Sequence, residues 1–145
     1  MKTSRLLIIS LAAAGLAVLA PAIASASPRS ACSVLSLAEV RAIVGAPVTI
    51  YRPGSPEPTV QGNATYSTCT YALNKPGKAA RVMLMWGPSA SLNSLYKFYV
   101  KRHKELPQIK GDALVLASVT DTGHHSLDYD MPASQKLLDA AVRKL

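Results

Sequence analysis

The chain has 145 residues, 49% of them hydrophobic, with 16 Lys and Arg against 8 Asp and Glu and two cysteines. This length fits one domain with a single core, and compact apolar runs separated by Gly, Pro and Ser favour a folded chain over a disordered one, except near Arg29 and in the Pro-rich loop. The basic excess speaks to association with anionic or acidic partners, not to fold.

Lys2 and Arg5 give a positive start, Leu6 to Ala24 is almost wholly apolar, and Ala24-Ser25-Ala26 has the small-x-small pattern that signal peptidase cuts. Residues 1–26 are therefore predicted to be a signal peptide, with 27–145 a single exported domain, periplasmic or secreted. The apolar run is as long as the roughly 20 residues of a retained anchor, but Pro21 and the Ala-rich end favour cleavage, which leaves no integral membrane segment. Without Lys2 and Arg5, 14 basic residues face 8 acidic ones, a net charge of +6. In an exported domain that favours an anionic envelope component or a partner protein over nucleic acid.

Cys32 and Cys69, an even pair in an oxidising compartment, predict one disulfide. A closed loop of about 38 residues is worth roughly 4 kcal/mol in the chain-entropy treatment. Neither cysteine has the Cys-x-x-Cys neighbour or nearby His that catalysis or metal binding requires.

Ser36-Leu37-Ala38-Glu39 is a capping box, and Gly45 and Pro47 stop the helix it opens, predicted over Leu37 to Val44. Leu37, Val40, Ile43 and Val44 share its apolar side. Val48 to Arg52 suits a short strand, whereas Pro53 to Pro58 reads as a surface loop because its three prolines cannot donate to a ladder. Ser67 to Leu73 is predicted as a strand with Cys69 and Tyr71 on one face, so that the disulfide ties it to the first helix. The turn residues Asn74 to Lys78 join it to a strand over Ala80 to Trp86. Val82, Leu84 and Trp86 lie on one face of that strand and Met83 and Met85 on the other, which implies a central place in a sheet.

Gly87-Pro88 ends the strand, and Ser89 or Ser91 is expected to cap a helix from Leu92 to Leu106, stopped by Pro107. Leu92, Leu95, Tyr96, Tyr99 and Leu106 trace its apolar stripe, and Lys97, Lys101 and Lys104, with Arg102 nearby, form a basic face. Ala113 to Val119 is a further strand, Asp121-Thr122-Gly123 a turn and Ser126 to Asp130 its partner. Pro132 opens a last helix through Leu145 with Leu137, Leu138, Ala141 and Val142 inward. Hairpins separated by helices predict an α+β single-domain sandwich, a mostly antiparallel sheet with helices packed on it.

Two other clusters invite a chemical reading. Asp121, His124, His125, Asp128 and Asp130 are metal-capable, with Asp128 and Asp130 expected on one strand face, although adjacent histidines on a strand point apart. Glu39 and Glu105 look like a carboxylate pair, but Glu39 is explained as a cap. Gly-x-Ser-x-Gly, His-Glu-x-x-His and phosphate-cradling glycine motifs are absent, which favours a non-catalytic domain without a cofactor.

The segments Cys32-Ser33-Val34-Leu35-Ser36-Leu37-Ala38-Glu39-Val40, Val44-Gly45-Ala46-Pro47-Val48 and Ser67-Thr68-Cys69-Thr70-Tyr71 resemble the pattern of exported bacterial domains of unknown function, of the kind grouped with the DUF3558-type actinobacterial lipoproteins and similar periplasmic proteins. The resemblance spans Cys32 to Trp86 and, more loosely, the closing helix. It implies an α+β domain with a helix-to-strand disulfide and no known catalysis, and it transfers no functional residue. The chain departs from the lipoproteins in placing Pro28-Arg29-Ser30-Ala31 between the apolar segment and Cys32, where a lipidated cysteine would follow directly.

The leading expectation is an exported binding or accessory domain that recognises an envelope component or partner protein through the Lys97, Lys101, Lys104 face or the open side of its sheet. Alternatives are an inhibitor of an extracellular lysozyme or protease that presents the Pro53 to Pro58 loop, and a small metal-binding protein using His124 and His125.

Overall fold

A computed structural model describes residues 27–50, 55–74, 78–102, 105–124 and 126–145; the signal-peptide reading of residues 1–26 lies outside them. A 3₁₀ turn, Ala31–Ser33, leads into α1 (Leu37–Val44), then β1 (Val48–Ile50), β2 (Ser55–Gln61), β3 (Ala64–Leu73), β4 (Lys78–Trp86), α2 (Ser89–Arg102), β5 (Leu106–Lys110), β6 (Ala113–His124), β7 (Ser126–Tyr129) and α3 (Met131–Lys144). Among these described residues no helix is long and apolar enough to cross a membrane.

The strands form one antiparallel sheet centred on three long members, β3, β4 and β6. Each outer edge is shared by two short strands. On one side β2 pairs with β3 over Ala64 to Thr68 and β1 over Tyr71 to Leu73. On the other, β5 pairs with β6 over Ala113 to Ala117 and β7 from Thr120 onward.

Strand alternation then builds two core layers. Cys69, Tyr71, Val82, Leu84, Val115 and Ala117 form the lower face, packed against Val40 of α1, Leu137, Leu138 and Ala141 of α3, and Ala31, Val34 and Leu35 around the 3₁₀ turn. Met85, Leu114 and Leu116 form the upper face beneath Leu92, with Tyr66, Met83, Leu95 and Tyr99 around them. β4 is central, as its two apolar faces require. The result is an α+β domain of three layers, with α1 and α3 below the sheet and α2 above.

Local chemistry sets the helix starts. The Ser36 hydroxyl accepts from Glu39 N at 3.2 Å and the Glu39 carboxylate accepts from Ser36 N at 2.9 Å, while Gly45 ends α1 at φ 67°. Asp130 Oδ1 accepts from Ala133 N at 3.0 Å, capping α3 one residue before it begins. The polar atoms in the lower layer are satisfied across long sequence separations: Ala31 N donates to Ser67 Oγ at 2.7 Å, Tyr71 Oη to the Leu35 carbonyl at 3.2 Å and Val119 N to Ser134 Oγ at 2.8 Å.

The disulfide joins Cys32 and Cys69, closing a separation of 37 residues. It fastens the 3₁₀ turn to β3; α1 starts only after that turn.

Five expectations are corrected. Ser55 to Pro58 is not loop but the start of edge strand β2, whose register slips between Ser55 and Thr59; an edge with a bulge accommodates Pro56 and Pro58, which have no N–H to give. α2 begins at Ser89 and ends at Arg102, short of Leu106, because the residue before a proline disfavours helix and prefers extended backbone. Leu106 instead opens β5 and pairs with Ala117 in the lower layer. Asp121-Thr122-Gly123 stays within β6, where Asp121 lies opposite Lys78 and pairs with it at 3.0 Å. Leu37 is 39% exposed, so the buried side of α1 is narrower than the periodicity suggests.

Candidate functional site

α2 carries the basic residues singled out in the sequence, and one side of it suffices to close the upper core. Leu92 is buried and Leu95 and Tyr99 are partly buried against the sheet. With 3.6 residues per turn, Lys97 and Lys101 fall on the opposite crest, one turn apart, and both are exposed. Arg102 is exposed as well, whereas Lys104 lies outside the described residues.

The crest is flanked by apolar side chains that are also in water. Phe98 is 47% exposed, Val100 41% and Tyr96 37%. Tyr96 was expected in the inward stripe, but it falls at the border of that stripe, next to Val100 one turn on. Phe98 sits on the other flank, its ring edge-to-face with Tyr99 at 5.4 Å between centroids. The Arg102 guanidinium lies over the Phe98 ring, 4.5 Å from its centroid, the i, i+4 geometry in which a cation meets an aromatic face. The outer face of α2 is thus a cationic ridge with apolar sides.

The sheet beside α2 adds a polar patch. Thr70, Arg81 and Ser118 lie side by side across β3, β4 and β6, on the face that α2 covers in part. Arg81 Nη1 is 3.5 Å from Glu105 Oε1, the carboxylate that directly precedes β5. This is where β5 leaves the edge of β6 and β7, with Tyr129 opposite Thr120, takes its place. Burial, and after it the nearby Glu105 carboxylate, raises both Tyr99 and Tyr129 above the ordinary phenol value. The carboxylate pair suggested by the sequence is not formed: Glu39 belongs to the α1 cap and pairs with Lys144 at 2.9 Å, while Glu105 pairs with Arg81.

A cleft of about 500 Å³ opens at the other end of the sheet, lined by Ser27, Asn63, Thr65, Trp86, Gly87 and Asp112. Trp86 Nε1 is the only fully buried side-chain polar atom without a hydrogen-bond partner among the described residues. That atom is buried, although other atoms of Trp86 line the cleft.

Of the metal candidates, only the side chains of Asp121 and Asp130 are described. His125 lies outside the described residues, and His124 and Asp128 hold backbone positions opposite Ser126 and Asp121 in the β6–β7 pairing. Asp130 does not share a strand face with Asp128, because it has left the strand to cap α3, a role an acidic side chain at a helix start readily takes. Among the described residues no group of three or more His, Cys, Asp or Glu side chains is placed to hold a metal ion.

Sequence reasoning found Lys97, Lys101 and Arg102 but passed over Phe98 and Val100. The available signal was the wheel itself, which puts Phe98 well away from Leu92 and one turn before Arg102. Comparison of the chain with models of protein families, with curated proteins and with solved structures gives no match.

Proposed function

We propose that this chain is an exported, non-catalytic binding module of the DUF3558-type kind it resembles, and that it engages an anionic envelope component through the outer face of α2. The observation that carries this reading is the exposure of Lys97, Lys101 and Arg102 together on a helix that contains no acidic residue, beside Phe98 and Val100. The helix dipole favours Lys101 and Arg102 in the last turn but gives Lys97 no such gain, whereas an anionic surface is attracted to all three. Export is supported by the Cys32–Cys69 disulfide, a bond that persists in oxidising compartments, and by the leader pattern at Lys2 to Ala26.

The inhibitor reading has no comparable support, since the segment it relied on runs into an edge strand hydrogen-bonded to β3. The test is charge reversal. Lys97→Glu with Lys101→Glu should abolish retention of the protein on isolated envelope at low salt while leaving thermal unfolding unchanged. Unchanged retention would refute the reading.

A further inference from the structure

Resting on that reading, we infer that the anionic component is the surface of a lipid bilayer, and that the ridge of α2 is a peripheral membrane-docking element with Phe98 as its apolar anchor.

The charge pattern by itself does not distinguish a bilayer from a soluble polyanion; the apolar flanks do. A polyanion presents charges and hydrogen-bond acceptors in water and offers no phase in which Phe98, Val100 and Tyr96 lose their contact with solvent. These three fall within five consecutive positions and are 47%, 41% and 37% exposed. Ile109, on the edge strand beside α2 and on the same side of the sheet, is 36% exposed. Single exposed apolar residues need no explanation, but a group of them interleaved with cations does.

An anionic bilayer supplies both halves of what this face lacks. Lipid phosphates meet the Lys97 and Lys101 ammonium groups, whose methylene stems lie along apolar surface while the charges stay at the headgroup level. Aromatic rings settle at the boundary between headgroups and acyl chains, with Tyr suited to its wet side. α2 carries Lys97, Lys101 and Arg102 and no Asp or Glu, so nothing on the helix opposes an anionic surface. Arg102, held over the Phe98 ring, keeps a cation at the point where the anchor enters.

The experiment uses the chain from Ser27 onward, which holds the disulfide and both core layers. Its binding is measured on three probes: phosphatidylcholine vesicles, vesicles containing phosphatidylglycerol, and soluble polyphosphate. The phosphatidylglycerol vesicles should be preferred, and Phe98→Ser should weaken binding to them by about tenfold or more while leaving polyphosphate binding unchanged. Phe98→Trp adds a reporter that should be quenched by lipids brominated in their acyl chains, whereas the buried Trp86 of the unmodified chain should not be. Equal binding to polyphosphate and anionic vesicles, with neither an effect of Phe98→Ser nor quenching, would overturn the bilayer assignment and leave the anionic-component reading standing. Failure to bind any of the three would overturn both.

Discussion

Lys144 Nζ lies 2.9 Å from Glu39 Oε1, so the last turn of α3 is tied to the first turn of α1. The same carboxylate completes the α1 capping box through Ser36 N and Ser36 Oγ, each at 2.9 Å. One side chain thereby serves a helix cap and an interhelix contact.

This double use makes stability depend on acid. The Ser36 amide above all, then Lys144 and the Ser36 hydroxyl, hold the Glu39 carboxyl at about 2, below the ordinary glutamate value of 4.5. A lowered folded-state value means that Glu39 contributes stability above pH 4.5, and that this contribution is lost as pH falls toward 2. Urea midpoints measured between pH 6 and pH 2 should fall across that window, and Glu39→Gln should flatten the fall. A variant as acid-sensitive as the parent would place the effect elsewhere.

Tyr71 responds at the opposite end of the scale. Burial, with a smaller contribution from Glu39, raises its phenol to about 12 from 10.0. A raised folded-state value gives stability that is complete below pH 10 and is lost as pH rises toward 12. Ultraviolet titration should show one tyrosine that ionises only as the protein unfolds. Tyr71→Phe should remove that transition and, by leaving the Leu35 carbonyl without its donor, cost about 1 kcal/mol at neutral pH.

Replacing both Cys32 and Cys69 by serine opens a separation of 37 residues. The expected loss is about 4 kcal/mol from the freer unfolded chain, visible as a lower guanidinium midpoint. Reduction of the parent with dithiothreitol should reproduce most of it.

The narrow buried side of α1 is testable by a pair of substitutions. Leu137→Ala, at a fully buried position of α3, should cost about 2–5 kcal/mol. Leu37→Ala, at a leucine 39% exposed, should cost about 0.5 kcal/mol or less in the same denaturation assay. Similar costs would show that Leu37 packs as the helical spacing implied.

Elements announced by neighbouring residues were readable in advance. The Ser36–Glu39 box, Gly45 at positive φ, the two-faced apolar alternation of β4 and the helix opened near Pro132 each rest on contacts a few positions apart. The proline-bearing edge strands were not readable. β2 carries Pro56 and Pro58, and β5 carries Pro107; a proline that breaks a central ladder costs nothing where the N–H would have faced outward. The candidate site was half readable: the cations of α2 follow from spacing, and so does the outward place of Phe98, but the exposure of Tyr96, which spacing puts in the inward stripe, does not.

Composition, local caps and periodicity were enough to establish an α+β domain with a Cys32–Cys69 bridge, because each of those signals arises within a turn or a strand or from two cysteines and no others. What partners Glu105 and which hydroxyl receives the Ala31 amide were decided by residues distant in the chain. Arg81 is 24 positions from Glu105, and Ala31 is 36 from Ser67. Such pairs exist only once the sheet has chosen its register, since a shift of one residue would turn every one of those side chains to the other face.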